Sequence, residues 1–457
     1  MNRGVRHIAF AALLFAAACQ TAFARPQPTP DAPPSEYRPL ARHDMILAGA
    51  TILDGAGGKT VGDILIRDGK IAAVGEIRDQ RNAVRIDASG RWITPGLIDI
   101  HTHYGTFLLP QTAAELENSD VTETSSFNVA DTWIEHAVRP ADPAFSRALA
   151  SGVTTLQILP GSSVLIGGRS VVVHPIPAVT LAQMRFPGAP QGLKMACGSN
   201  SVNDSSFPTS RQGQIAGIRR AFHEARHRME EDDEDEHEDR DGRGHGRWDP
   251  RNATLIGAIR GELPVHLHCY RAEDIANWIS ALKEFGVRIA AVHHAAEAYK
   301  IAPLLAEEGV CAAVWPDWWG FKREAEDAIP ENAAFVDAAG GCAIMHSDIP
   351  VVGGLLNLDA ARAAAAGRRA GLDIPPKRAI RWITSNAARA LGLGDRIGTI
   401  ATGMNADLVI WSGDPFSIYS KPDQVIIDGA IAFDRSDPSR QPVPDFELGR
   451  PQREGIR

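Results

Sequence analysis

The sequence predicts an α/β protein: a (β/α)₈ TIM barrel with a small composite β-sandwich domain formed from both chain ends. Three observations predict it. At 457 residues, with 44% hydrophobic and 23% charged side chains, the chain is long enough for one large barrel with an added domain. Its middle alternates short apolar runs with helical patterns. Its two ends instead carry short apolar stretches separated by glycine-rich turns, which are typical of hairpins.

Eight apolar runs in the middle of the chain are candidate barrel strands, and helical patterns such as 272–285 and 296–308 follow several of them. Short buried strands that alternate with helices favour a parallel sheet. The third run is the weakest. The predicted strands are 97–101, 153–159, 171–173, 192–196, 264–268, 287–293, 309–314 and 342–346.

The domain boundaries follow from these changes in pattern. The β domain is assigned to 44–93 and 398–436, the barrel to 94–397, and a C-terminal tail to 437–457. Because the two β-rich ends share one character and flank a middle of another kind, we expect them to form a single domain.

An acidic insert interrupts the barrel pattern. The stretch from Arg211 to Glu230 has a helical pattern, and nine of the ten residues from Glu230 to Asp239 are acidic, which accounts for the whole formal net charge of −9. A segment this polar cannot bury enough apolar surface to become ordered, so we expect a disordered surface loop over about 228–250. Its histidines offer an alternative, weak metal capture, and they are His223, His227, His237 and His245.

The N-terminus predicts export. Two arginines precede an apolar run from Ile8 to Ala18, and Ala22-Phe23-Ala24 supplies the small-x-small pattern of a cleavage site. We therefore expect a signal peptide over 1–24 and a periplasmic protein without a membrane span, followed by a proline-rich flexible spacer over 25–43. The alternative is a lipoprotein anchored through Cys19.

Four cysteines remain after the signal segment, and none of them forms a CxxC motif. Export permits disulfides, but the cysteines lie mostly in or beside apolar runs, so we expect buried thiols. They are Cys197, Cys269, Cys311 and Cys342. The chain also shows no sustained basic face, which argues against a nucleic-acid partner.

The strongest chemical signal is a pair of histidines at the end of the first barrel strand. His101 and His103 lie two residues apart, and residues i and i+2 of a strand point the same way. Two imidazoles at a strand end can bind one metal ion, and imidazole suits zinc and similar ions. In a TIM barrel the functional residues lie at these strand ends.

Three further strand ends carry possible ligands, namely His266 and His268, His293 and His294, and His346 and Asp348. Histidines leave a metal ion Lewis-acidic and able to activate a water molecule. A neighbouring carboxylate can accept the proton and return it to the leaving group. Asp348 is placed to act as both metal ligand and proton shuttle.

These motifs resemble the amidohydrolase superfamily, in particular its imidazolonepropionase-like branch with prolidase-like relatives. The resemblance runs from about Met45 to Asp434 and includes "PGLIDIHTHYGT", "GLKMACGSN", "SDIPV" and "ITSNAARALGLGDRIGTIATGMNADLVIWSGDP". It implies a metal centre at the barrel mouth with one or two divalent ions, and zinc is the metal that we expect there. It implies the ligands His101, His103, His268, His294 and Asp348, and a homo-oligomer is an expectation from this resemblance alone.

The resemblance also assigns a role to Lys194, at the place where two-metal members carry a lysine carboxylated by CO₂. The alternative is a lysine whose tip reaches solvent at the rim. The chain departs from its relatives at neighbouring positions: Ser199 replaces a frequent Glu, Tyr270 a His and His293 a Glu, while Ile349 follows Asp348 in place of a frequent His. Substrates of the relatives therefore transfer poorly.

Three residues are candidate substrate contacts. Tyr270 is placed to polarise the scissile carbonyl, Arg271 to pair with a substrate carboxylate, and Trp318 to line a pocket. The alternatives are a packed ring, a surface ion pair and a small loop core.

The predicted activity is hydrolysis of C–N bonds in linear, dipeptide-like or cyclic amides by a metal-activated hydroxide. The alternatives are a catalytically inactive exported barrel that binds metal or a partner, and a metal buffer built around the acidic insert.

Overall fold

The computed structural model describes residues 31–78, 80, 82–238 and 249–441. The predicted signal peptide with Cys19, the second part of the acidic insert with His245, and most of the C-terminal tail lie outside the described residues. Within them, no helix combines the length and apolar composition that a membrane span requires.

The described residues form seventeen β-strands and eleven α-helices, and most of the helices lie between the strands of the barrel. The strands are β1 (Met45–Leu53), β2 (Lys59–Arg67), β3 (Lys70–Gly75), β4 (Val84–Asp87), β5 (Trp92–Pro95), β6 (Leu97–Thr102), β7 (Val153–Ile158), β8 (Ile166–Arg169), β9 (Val171–Val173), β10 (Leu193–Ala196), β11 (Val265–His268), β12 (Ile289–His293), β13 (Cys311–Val314), β14 (Cys342–Met345), β15 (Leu408–Trp411), β16 (Pro422–Ile427) and β17 (Ala430–Asp434). The helices are α1 (Ala113–Glu117), α2 (Pro143–Ala150), α3 (Leu181–Met184), α4 (Arg211–Glu238), α5 (Pro250–Ile259), α6 (Ala272–Lys283), α7 (Ala302–Glu307), α8 (Asn332–Ala338), α9 (Leu356–Arg369), α10 (Pro376–Ala379) and α11 (Ser385–Ala390).

Strands from both ends of the chain form one eight-stranded sheet in the order β17-β16-β15-β5-β1-β2-β3, with β4 beside β1. The two ends meet where β5 pairs antiparallel with β15. Alternate residues of β15 face opposite sides: Leu408 and Ile410 join the core of the sheet, whereas Val409 and Trp411 join the core of the barrel. This sheet therefore rests on the barrel through one face, and both ends contribute to one β domain as predicted.

The barrel strands form a six-stranded sheet, β14-β13-β12-β11-β10-β8, and a three-stranded sheet, β6-β7-β9. The neighbours from β10 to β14 are parallel, as are β6 and β7. Between the described strands the ladder is not continuous around the barrel. An isolated bridge from Thr102 to Asp348 brings the end of β14 beside β6.

The third predicted strand, 171–173, does not run as expected. The segment from β8 to β9 lies between β7 and β10 but runs antiparallel to both of them. The connection from β7 to β8 is residues 159–165. A parallel crossover needs about a dozen residues or more, so a connection this short reverses the chain direction.

Two segments predicted to be irregular are ordered. Helix α4 continues through Glu238, so the backbone of the first acidic residues is helical instead of disordered. Glutamate is a good helix former, and extending an existing helix is much easier than starting one. Residues 31–43 of the predicted flexible spacer lie on the barrel, where Asp31 pairs with Arg169 at 2.7 Å and the Glu36 N–H donates to the Ala182 carbonyl at 2.9 Å.

The four cysteines form two disulfides, Cys197–Cys269 and Cys311–Cys342. The prediction of buried thiols was therefore wrong, although all four residues are buried. The pairing follows from the sheet, because Cys311 and Cys342 are direct partners in the ladder of β13 and β14. The other bridge joins the residues that follow β10 and β11, which carry Lys194 and His268.

Candidate metal centre

The first barrel strand delivers the histidine pair. His101 belongs to β6 and His103 follows it, and both are buried. Their Nε2 atoms lie 3.3 Å apart. The Nδ1 atom of His103 lies 2.8 Å from the Leu159 carbonyl, a contact that fixes this ring with Nε2 directed at its partner.

Asp348 lies against this pair. Its Oδ1 atom is 3.3 Å from Nε2 of His101, 3.4 Å from Nε2 of His103 and 3.8 Å from Nε2 of His294. Asp348 and His294 both have positive φ angles, 69° and 60°. Non-glycine residues rarely adopt this conformation, and it occurs at functional sites where surrounding contacts hold it.

Within the part of the chain that the structure describes, two overlapping groups of residues could hold a metal ion. His101, His103 and Asp348 form one, and His101, His294 and His346 form the other, with the ligand atoms of each group within 4.8 Å of one another. His346 was recognised at a strand end but was left out of the predicted ligands. The signal that could have included it is the spacing of His346 and Asp348, which repeats the i, i+2 spacing of the first pair.

Burial keeps the imidazoles of His101, His268, His294 and His346 neutral, which is the form that binds a metal ion. It is the main cause that holds the pKa values of His101, His268 and His294 well below the usual imidazole value, and it lowers the pKa of His346 to about 3. Among the described residues, neither ring nitrogen of His346 has a hydrogen-bond partner. Unpaired buried nitrogens are costly, and a bound metal ion would satisfy one of the two.

His268 and Lys194 lie at the same mouth. The His268 ring centroid is 4.5 Å from that of His294, and its Nδ1 lies 2.8 Å from Ser162 Oγ, while its Nε2 has no partner among the described residues. The Nζ atom of Lys194 donates to the Pro160 carbonyl at 3.0 Å. Lys194 is fully buried, and burial lowers its pKa to about 7. The alternative of a lysine tip in solvent is therefore wrong, and carboxylation stays a prediction.

Residues 257–433 match the amidohydrolase family. The crystal structure of an amidohydrolase from Thermotoga maritima MSB8 is similar to this chain with a TM-score of 0.77 and 31% identity, covering 86% of this chain and 100% of that one. The chain belongs to the amidohydrolase family. Members of this family act on C–N bonds, which implies a small-molecule substrate.

Two further proteins are similar to this chain, and one of them is much longer. The amidohydrolase tasK of Hapsidospora irregularis is 31% identical over 406 residues, which is 82% of this chain but 40% of that protein. The chain thus spans about 40% of that relative's length. An imidazolonepropionase of Paracoccus denitrificans is 27% identical over 376 residues, covering 77% of this chain and 87% of that protein.

Aromatic side chains form one wall beside the candidate metal centre. Trp315 packs against His294 and His346 with ring centroids 4.4 Å and 4.6 Å away. Trp318 stacks on Trp315 with ring centroids 4.4 Å apart, on the outer side of that wall. The Tyr270 ring lies 4.9 Å from that of His268, and burial raises the pKa of its hydroxyl.

The contacts of Arg271 do not support its predicted role as a partner of a substrate carboxylate. It lies at the N-terminus of α6 and pairs with Glu273 at 2.6 Å, both side chains being largely exposed. Arg271 therefore forms a surface ion pair, which was the alternative to its predicted role. The Nζ atom of Lys322 lies 3.8 Å from the centroid of the Tyr270 ring.

Two histidines lie deeper in the barrel. His266 Nδ1 and His293 Nε2 are 2.9 Å apart, and both rings are fully buried. Neither belongs to the two groups that could hold an ion. We assign these histidines to a layer beneath the candidate ligands.

Proposed function

We propose that this chain is a metal-dependent amidohydrolase that cleaves C–N bonds in linear, dipeptide-like or cyclic amides. One observation carries the proposal: the Oδ1 atom of Asp348 lies within 3.8 Å of the Nε2 atoms of three buried histidines. A carboxylate among neutral imidazoles is a donor set that suits zinc and similar divalent ions.

His101, His103, His294, His346 and Asp348 would hold the ion, with His268 and Lys194 beside them. A bound divalent ion supplies Lewis acidity and lowers the pKa of a coordinated water towards about 7. The unpaired nitrogens of His346 and the unpaired Nε2 of His268 are the features of this chain that fit such an ion.

Asp348 is the residue that moves the proton. Its side chain is 19% exposed, whereas that of His101 is fully buried, so the carboxylate reaches the side from which reactants arrive. It accepts a proton from the attacking water and delivers it to the leaving nitrogen, because an amine leaves an amide only when it is protonated.

Tyr270 and the tryptophans act on the substrate. The raised pKa of Tyr270 keeps its hydroxyl protonated, and a protonated hydroxyl can donate to the oxygen of the scissile carbonyl as negative charge develops there. Trp315 and Trp318 offer a flat apolar wall, which suits a substrate with an apolar or aromatic group beside the amide.

The proposal includes export to an oxidising compartment, with a periplasmic location and small-molecule substrates. The two disulfides support it, because such bonds persist in oxidising compartments and are rare in the cytosol. A homo-oligomer remains part of the proposal.

A panel of amides tests the activity. The purified protein is loaded with zinc and offered N-acyl amino acids, dipeptides and lactams, beside Asp348→Asn and the exposed control Asp317→Asn. We expect turnover that Asp348→Asn lowers by about 1,000-fold or more and that the control leaves unchanged. Metal content is measured on the same samples. Zinc binding without turnover of any amide would favour an inactive metal-binding barrel, and no bound zinc would overturn the metal centre.

A further inference from the structure

A buried carboxylate ties together the two strands at which the barrel ladder is interrupted. Asp99 lies in β6 and is fully buried. Its Oδ1 atom accepts hydrogen bonds from the backbone N–H of His101 at 3.2 Å and from the backbone N–H of Ser347 at 3.3 Å. One oxygen therefore contacts the backbone of both strand ends that carry candidate ligands.

The surrounding contacts show why this tie matters. Named strands β6 and β14 are not ladder neighbours, and their ends meet through the bridge of Thr102 with Asp348 and the bond from the Asp348 N–H to the His101 carbonyl at 2.9 Å. Ser347 lies beyond the last residue of β14, Met345, and the N–H that bonds to the β6 backbone is that of Asp348, so the ladder provides no acceptor in β6 for the Ser347 N–H. Here the Asp99 side chain accepts it.

We propose that Asp99 is a positioning residue, a side-chain clasp that joins the ends of β6 and β14 and sets the spacing between the histidine pair and the His346–Asp348 pair. This inference rests on the proposed function, because the spacing matters only if these residues bind one centre. Ser347 stands between His346 and Asp348, so holding its N–H fixes the backbone on both sides of it.

The clasp depends on an oxygen acceptor at this position and not on negative charge. Asp99→Asn retains the Oδ1 acceptor at the same reach, whereas Asp99→Ala removes it. Tyr104→Phe is a matched control, because it deletes the contact at 3.1 Å between the Tyr104 hydroxyl and Ser347 Oγ but leaves the backbone tie in place.

Two measurements test the clasp. The first is amide hydrogen exchange of the metal-free protein, read in the peptides that contain β6 and residues 342–348. We expect Asp99→Ala to speed exchange in these peptides by about tenfold or more, with Asp99→Asn and Tyr104→Phe close to wild type. Unchanged exchange in Asp99→Ala would overturn the proposal.

The second measurement is Co²⁺ affinity, with the visible absorption of the bound ion as a report on its geometry. We expect Asp99→Ala to weaken binding by about 10- to 100-fold and change the spectrum, and Asp99→Asn to restore both. If Asp99→Ala does not fold, Asp99→Ser replaces it, since its shorter side chain cannot reach both N–H groups. A failed rescue by Asp99→Asn would refute the clasp. Absence of Co²⁺ binding in wild type would refute the proposed function, while hydrogen exchange would still decide the clasp.

Discussion

The carboxylate of Asp348 lies 3.3 Å from Nε2 of His101, where the last barrel strand meets the first. The two residues come from opposite ends of the barrel sequence. The fold therefore brings the proposed proton carrier and a proposed metal ligand into contact from strands that are far apart in the sequence. The predictions that follow concern the centre that this contact forms and the parts of the fold that support it.

Replacing His346 should weaken metal binding. It belongs with His101 and His294 to one of the two groups that could hold an ion, and neither of its ring nitrogens has a partner among the described residues. We therefore treat it as a metal ligand. We expect His346→Asn to lower zinc affinity by about 100-fold, more than a residue outside the ligand shell would. Competition with a chelating dye measures this affinity. His266→Asn is the control, because it replaces an equally buried imidazole and should lower zinc affinity by less than about tenfold. Equal losses of affinity in the two variants would contradict the assignment of His346 as a ligand.

Lys194 should control the number of bound ions. Because burial lowers its pKa to about 7, a useful fraction of its amine is neutral and able to react with CO₂ near neutral pH. We expect about two zinc ions per chain when bicarbonate is present and about one in Lys194→Ala, measured by elemental analysis. Lys283→Ala, an exposed lysine, serves as the control. If neither Lys194→Ala nor bicarbonate changes the number of zinc ions per chain, the centre holds a single ion.

Stability should fall with rising pH because of Asp407. Burial, and then repulsion from Asp428, raises its pKa to about 8, against about 3.9 in an unfolded chain. The folded protein thus keeps a proton that the unfolded chain has lost, so the stability from this group is fully present below about pH 4 and disappears as the pH rises to about 8.

Asp407→Asn should flatten that dependence. The amide oxygen can still accept the bond at 2.7 Å from the Asp428 N–H, and it carries no charge. Denaturant unfolding at pH 5 and at pH 9 measures how much the unfolding free energy falls between the two. We expect this fall to be smaller in the variant than in wild type by about 2 kcal/mol or more. Parallel losses in the two proteins would assign the effect to other groups.

The two disulfides should differ in what they support. Removing Cys311–Cys342, which closes a loop with a sequence separation of 31, should cost about 3 to 4 kcal/mol of unfolding free energy. Removing Cys197–Cys269, with a separation of 72, should cost slightly more and should also weaken zinc binding, because it joins the strand ends that carry Lys194 and His268. Double alanine variants measured by urea unfolding and zinc competition separate the two effects.

Local patterns predicted the parts of the fold that depend on local physics. The alternation of strands and helices, the hairpins at both ends and the first histidine pair are visible because each follows a short-range periodicity. The direction of the third strand was missed, since only the length of the connection 159–165 decides it. The disulfide pairs were missed as well, because sheet register and not sequence distance sets which cysteines meet.

The site was predicted in the same uneven way. His101, His103, His294 and Asp348 do converge, whereas His346 became evident only when the burial of both its nitrogens was known. Residues 31–43 were predicted to be flexible because a proline-rich composition does not reveal which surface of the protein a segment packs on. Asp31 is held by the buried guanidinium of Arg169, which comes from a distant part of the chain.

The pairing of β5 with β15 also sets the order in which the protein can be built. During synthesis β5 emerges long before its partner β15, so one edge of β5 stays unpaired until the whole barrel has been synthesised. Only when the chain has been extended past Trp411 can that edge be closed. A nascent chain halted within the barrel would thus expose a strand edge, and premature termination should yield material prone to aggregation instead of a smaller working enzyme.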